Sequence, residues 1–197
     1  MRLMHGGAFI AALTSVLLLS SSSMAQSGSS WAYFGGGWEY TTMTYDSAVK
    51  PYLPHDLSGG FDVHVGGRAG NYFAAELGYL NLSDSRTSWA DQQPFHSTMA
   101  VSGPVLDMYG YLPAGDGGLS LLATAGLTYL HAKSNLVLDG VATSTAKASL
   151  GYRVGVGFEW RPSEHVGFRF VARYQPVYLD KVAHGSATFG ETVDFYL

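Results

Sequence analysis

Tyr152 to Arg161 reads YRVGVGFEWR and, after Pro162-Ser163-Glu164, Val166 to Tyr174 reads VGFRFVARY. In the first run Tyr152, Val154, Val156, Phe158 and Trp160 alternate with Arg153, Gly155, Gly157, Glu159 and Arg161. In the second, Val166, Phe168, Phe170, Ala172 and Tyr174 alternate with Gly167, Arg169 and Arg173. A period of two places successive side chains on opposite faces of a strand. Glycine at this density disfavours a helix, at about 1 kcal/mol per residue. One face is therefore apolar and aromatic, while the other carries full charges and glycine. A soluble barrel buries its apolar face inside, whereas a membrane barrel turns it outward to lipid. A soluble reading would crowd Trp160 and the tyrosines into the interior, so the membrane reading is preferred.

The same alternation recurs from Trp31 to the C-terminus, in segments 31–43, 59–69, 72–82, 99–112, 118–131, 147–161, 165–176 and 186–197. In the second segment Phe61, Val63 and Val65 oppose Asp62, His64 and Arg68. Short connections fall at Gly70-Asn71, Pro113 to Gly117 and Pro162 to Glu164, and long ones over 44–58, 83–98, 132–146 and 177–185. Eight antiparallel segments, with short turns at one end and long loops at the other, predict an all-β, up-and-down transmembrane β-barrel. With the N-terminus at the periplasmic end, Trp31, Trp160, Phe168 and Phe195 fall near one membrane interface. Tyr40, Tyr79, Tyr129, Tyr152 and Tyr174 fall near the other.

Ahead of these segments, Arg2 precedes an apolar run from Gly7 to Leu19, then Ser20 to Ser23 and Met24-Ala25. A basic start, a short apolar core and small residues at Ser23 and Ala25 predict a signal peptide over 1–25, cleaved after Ala25. The barrel domain is then 26–197. Across the 197 residues, 11 basic and 15 acidic side chains give a net charge of −4, which excludes the basic stripe of a nucleic-acid binder. Charged residues are only 13% of the chain, about half the usual share. With no cysteine, there is no disulfide framework, thiol nucleophile or Cys-bound zinc.

In Trp31 to Trp38 (WAYFGGGW), Asn71 to Tyr79 (NYFAAELGY), Gly110 to Pro113 (GYLP) and Gly155 to Pro162 (GVGFEWRP), the chain resembles the small eight-stranded OmpA/OmpX-like outer-membrane barrels. The resemblance covers the mature chain and implies an outer-membrane location, with membrane lipid and lipopolysaccharide as surroundings. It also implies that the barrel-insertion machinery reads the last strand through Val193, Phe195 and Leu197. The sequence departs from that pattern in ending on Leu197 rather than Phe, and in placing Glu191 at an apolar position. The expectation for Glu191 is a place near an interface, where an outward acid costs little.

The inward-facing charges are Glu39, Asp62, Glu76, Asp107, Glu159 and Asp194 against Arg68, Arg153, Arg161, Arg169 and Arg173. An eight-stranded interior is just wide enough for its own side chains, and buried charges require partners. The near balance predicts a lumen crossed by ion pairs, with Glu76 paired to an arginine of strand two, six or seven, most simply Arg68 next door. A static plug is favoured over a gate.

Small outer-membrane barrels include lipid A-modifying enzymes, and His184-Gly185-Ser186 has the His-x-Ser spacing of the deacylases, with Glu191 as the nearest orienting acid. The fuller motif is absent, since Ala187 follows, so no enzymatic activity is expected. Ser144 to Lys147 fits S-x-x-K without the helix and companion motifs it requires. His55, His96, His131 and His184 sit singly on different loops or strand ends, and neither a metal nor a cofactor is expected. Pro51-Tyr52-Leu53-Pro54, Trp89 and Phe95 mark the loops as the place for an extracellular ligand. The expected function is a structural or surface-interaction scaffold, with a small porin-like channel and a lipid A-modifying enzyme as alternatives.

Overall fold

The computed structural model describes residues 30–45, 57–90, 93–115, 117–138, 140–176 and 183–197. They form eight strands: β1 (Ser30–Tyr45), β2 (Leu57–Ala69), β3 (Phe73–Ala90), β4 (Gln93–Pro113), β5 (Leu119–Leu138), β6 (Val141–Trp160), β7 (Val166–Gln175) and β8 (Ala183–Tyr196). Each pairs antiparallel with its neighbour in sequence, and β1 pairs with β8 to close the barrel. Closure removes the open edges that hydrocarbon cannot solvate. The short turns lie between β2 and β3, β4 and β5, and β6 and β7, at the end where β1 begins and β8 finishes. Gly70 and Gly118 take φ of +62° and +73° there, a conformation that favours glycine.

The alternation resolves into two faces. Phe61, Val63, Leu106, Met108, Leu121, Leu127, Val154, Val156, Phe158 and Trp160 point outward and are exposed. Stacked cross-strand pairs Phe34–Phe195, Phe158–Phe170 and Trp160–Phe168, with centroids 5.4, 5.0 and 5.8 Å apart, tile part of that surface. Trp31 departs from the expected girdle. It shares the inward parity of Tyr33 and lies edge-on to Tyr196 at 6.1 Å, at the short-turn end of the lumen.

The central strands differ from the sequence reading at the other end. Residues 83–98 and 132–146, expected as loops, are largely strand. β3 and β4 stay paired out to Ala90–Gln93, and β5 and β6 out to Leu138–Val141. Among the described residues, pairing of β3 with β2 stops at Ser83, and β6 meets β7 only from Val154. Among the described residues the outer parts of β3 to β6 therefore form a four-stranded sheet that continues past the β2 and β7 pairing. Residues 141–146 of β6 are exposed on both faces, so no apolar alternation marks them and composition alone resembles loop. Backbone pairing and polar links such as Asn135 Nδ2 to Thr98 Oγ1 (3.1 Å) and Ser144 Oγ to Asn135 Oδ1 (2.7 Å) hold the hairpins. Ser144 to Lys147 lies in this strand, not at a helix start. Most of 44–58 and 177–185, including His55 and Pro51 to Pro54, lies outside the described residues.

Candidate functional site

Period-two geometry on a closed sheet aims every second side chain at the axis, and the charges collected from the sequence occupy that position. Glu39, Asp62, Arg68, Glu76, Asp107, Arg153, Glu159, Arg169, Arg173 and Asp194 are all buried, while Arg161 lies at the mouth with its side chain 16% exposed. They stack in layers along the barrel.

At the short-turn end, Arg68 Nη1 donates to both oxygens of Glu159 at 2.8 Å, and Arg161 Nε lies 3.2 Å from Glu159 Oε1. Tyr196 donates its hydroxyl to the same oxygen at 3.1 Å. Aromatic faces cover the guanidiniums: Arg68 lies 3.9 Å over Tyr111 and Arg161 4.9 Å over Trp31.

In the middle layer Arg169 is shared between Glu76, with which its Nη1 makes an ion pair, and Asp194, to which its Nη2 and Nε donate at 2.6 and 3.1 Å. Tyr33 donates to Glu76 Oε1 at 2.7 Å. His64 bridges two acids, Nε2 lying 2.7 Å from Asp194 and Nδ1 3.2 Å from Asp62. Glycine makes the room: a Cβ on Gly35 would meet His64 Nε2 at 2.6 Å, and one on Gly66 would meet the Tyr33 ring at 2.7 Å.

In the next layer Arg153 pairs with Asp107 through Nε at 2.7 Å and through a second contact from Nη2. Arg173 donates to Glu39 at 2.8 Å and to the Tyr109 hydroxyl at 3.0 Å. Toward the long-hairpin end the lining changes character. Leu80, Leu82, Met99, Val101, Leu130 and Ala132 are buried on the β3–β5 side, and Thr41–Thr188 hydroxyls meet at 3.0 Å on the β1–β8 side.

Glu76 finds its arginine on strand seven, one of the three strands expected, rather than in Arg68, the simplest choice. Glu76 on β3 pairs with Arg169 on β7, and Arg68 on β2 with Glu159 on β6. Each pair joins strands four places apart in a ring of eight, which are opposite walls. Nearness on one wall does not select the partner, because long side chains cross so narrow a lumen. His64 also belongs to the network although the sequence reading did not count it. Its inward parity beside Asp62 was the available signal. The inward tyrosines 33, 109, 111 and 196 were likewise missed, although each shares the parity of an inward charge on its own strand, Glu39, Asp107 or Asp194.

This geometry has counterparts among known proteins. The family model of the outer membrane protein beta-barrel domain matches residues 11–195. The chain belongs to that family. It is a bacterial outer-membrane protein, and its fold is shared by solved barrels of low identity. The Yersinia pestis attachment invasion locus protein Ail, in complex with the heparin analogue sucrose octasulfate, superposes with a TM-score of 0.59 at 16% identity, covering 86% of this chain and 100% of Ail. Neisserial surface protein A gives 0.54 at 13%, covering 85% of this chain and 99% of that one. A major outer membrane protein of Thermus thermophilus gives 0.57 at 10%, covering 84% and 99%. No curated protein matches the sequence.

On this outer-membrane barrel Glu191 does not share the face of Ser186 and so is not placed to orient a His184–Ser186 pair. The β1–β8 register shifts so that Thr44 pairs with Gly185 and Tyr45 with Ala183, which leaves His184 as the extra residue of a bulge and breaks the alternation. The His184 side chain lies outside the described residues. Ser186 is buried and donates its hydroxyl to the Gln175 carbonyl at 2.5 Å. Glu191 is on the opposite, outward face of β8. Of the remaining histidines, His96 and His131 are exposed on the outward face of the protruding sheet. Among the described residues no three His, Asp or Glu groups cluster as metal ligands.

Proposed function

We propose that this outer-membrane barrel is a closed, ion-pair-filled scaffold that presents its protruding sheet to the cell's surroundings, residues 1–25 serving as the export signal. The observation that carries the reading is the burial of four arginines, Arg68, Arg153, Arg169 and Arg173, each on a carboxylate in successive layers of the lumen. Charges so placed are worth keeping only while paired, and an ion moving through the lumen would have to break several pairs at several kcal/mol each. The barrel then serves as an anchor, and contact with the environment falls to the sheet built from β3 to β6.

Planar-bilayer conductance of the folded mature protein, with insertion shown independently, tests the closed lumen. Silence is expected, and steady conductance overturns the reading in favour of a small pore. Replacing 84–97 and 132–147 by two-residue turns is expected to leave the barrel folded and silent. The same change should abolish adherence of cells displaying it to immobilised matrix protein or glycosaminoglycan; unchanged adherence removes the sheet as the contact.

A further inference from the structure

Among the described residues, one charged side chain faces lipid on the membrane-spanning part of the barrel: Glu191. The barrel arginines point inward, and Lys133 and Lys147 belong to the protruding sheet. Register fixes the depth of Glu191. It pairs with Trp38 on β1 and Phe170 on β7, four residues from Phe195 near the short-turn end and four from Ala187, whose partner is Tyr174 of the opposite girdle. At about 3.3 Å per residue and a tilt near 40°, it stands about 10 Å from Phe195 and Tyr174 and about 5 Å from Phe168 and Tyr40, between the two girdles of an apolar band about 25 Å tall. Among the described residues neither carboxyl oxygen has a hydrogen-bond partner. The side chain rises between two outward grooves of about 480 and 300 Å³, the larger floored by Gly36 and walled by Trp38, Phe61 and Phe168, the smaller walled by Tyr40 and Phe189.

A charged group on the lipid face of a barrel is destabilising in a depth-dependent way, and intramembrane acids are as a rule turned to a partner. We propose that the β1–β8–β7 face is a homodimer interface in which Glu191 meets Glu191 of a second copy and the two carboxyls share protons across a two-fold axis along the membrane normal. The chemistry of the patch selects this occupant. The lipid-facing band holds no cation among the described residues, so a head-to-tail contact between copies cannot neutralise the acid. A proton-bearing carboxyl has one donor and one acceptor and is complementary to itself, as a two-fold contact requires. Insertion gives both copies the same orientation, so the axis along the normal brings identical faces together at identical depth. The grooves on either side then receive the partner's aromatic ridge.

The absence of native cysteine makes the test direct. Full-length mature protein carrying Val193→Cys, beside Glu191 on the same face, is reconstituted in phosphatidylcholine vesicles and treated with a short bismaleimide. Leu106→Cys, on the far wall, is the control. Cross-linked dimer is expected at 193 and not at 106. Adding Glu191→Leu should weaken association roughly tenfold, the scale of one intramembrane hydrogen-bonded contact, while Glu191→Gln, whose amide is also self-complementary, should retain it. Both variants are checked for folding by heat-dependent gel mobility. Equal cross-linking at 193 and 106, none at 193, or a dimer indifferent to Glu191→Leu overturns the proposal.

Discussion

Removing Arg169 should destabilise the barrel more than removing Glu76, although the two are partners. Glu76→Ala takes away one carboxylate, but Arg169 keeps two donated bonds to Asp194 at 2.6 and 3.1 Å. The loss is then the ion pair and the bond from Tyr33, and partial compensation puts the cost at about 3 kcal/mol, the lower end for breaking a buried pair. Arg169→Ala strips both Glu76 and Asp194 of their guanidinium and leaves them with Tyr33 and His64. Two buried acids lose their cation at once, and the cost rises to about 5 kcal/mol or more. With a urea slope of about 2 kcal/mol per molar, the midpoints should fall by roughly 1.5 M for Glu76→Ala and 2.5 M for Arg169→Ala. Unfolding of the reconstituted protein, followed by tryptophan fluorescence and gel mobility, gives both values. Glu76→Gln, which keeps the acceptor for Tyr33, should fall between wild type and Glu76→Ala. Equal midpoints for Glu76→Ala and Arg169→Ala, or no shift in either, would refute the shared-arginine layer.

Two further expectations probe the lumen from other directions. Gly35→Val should prevent the His64–Asp194 contact from closing, since even a Cβ meets His64 Nε2 at 2.6 Å. Its measure is loss of the heat-modifiable compact form, and a wild-type midpoint would contradict it. In single-tryptophan proteins, brominated lipid should quench Trp38 and Trp160, which are 49% and 47% exposed on the lipid face, and should spare Trp31, which packs against Tyr196 and Arg161. Quenching of Trp31 equal to Trp160 would put it back in the girdle.

The membrane-spanning strands were legible because lipid on one side and a charged lumen on the other impose a period of two that composition cannot hide. Where both faces meet water, as in the outer parts of β3 to β6, that constraint vanishes. Thr, Ser and Asn then read as loop although the backbone continues to pair. His64 was visible by parity and passed over by counting only full charges.

By itself the sequence determined the all-β class, the number of strands, which end carries the short turns and which charges face the axis, since each follows from local alternation and turn chemistry. Only the tertiary structure decided who pairs with whom. Closing eight strands brings β2 against β6 and β3 against β7 across a lumen narrower than two extended side chains, and that distance is a property of the ring rather than of any segment. Closure likewise settled the place of Glu191. Its unusual character was apparent in the last strand, but its neighbours Trp38 and Phe170 depend on the register that β8 adopts with β1 and β7.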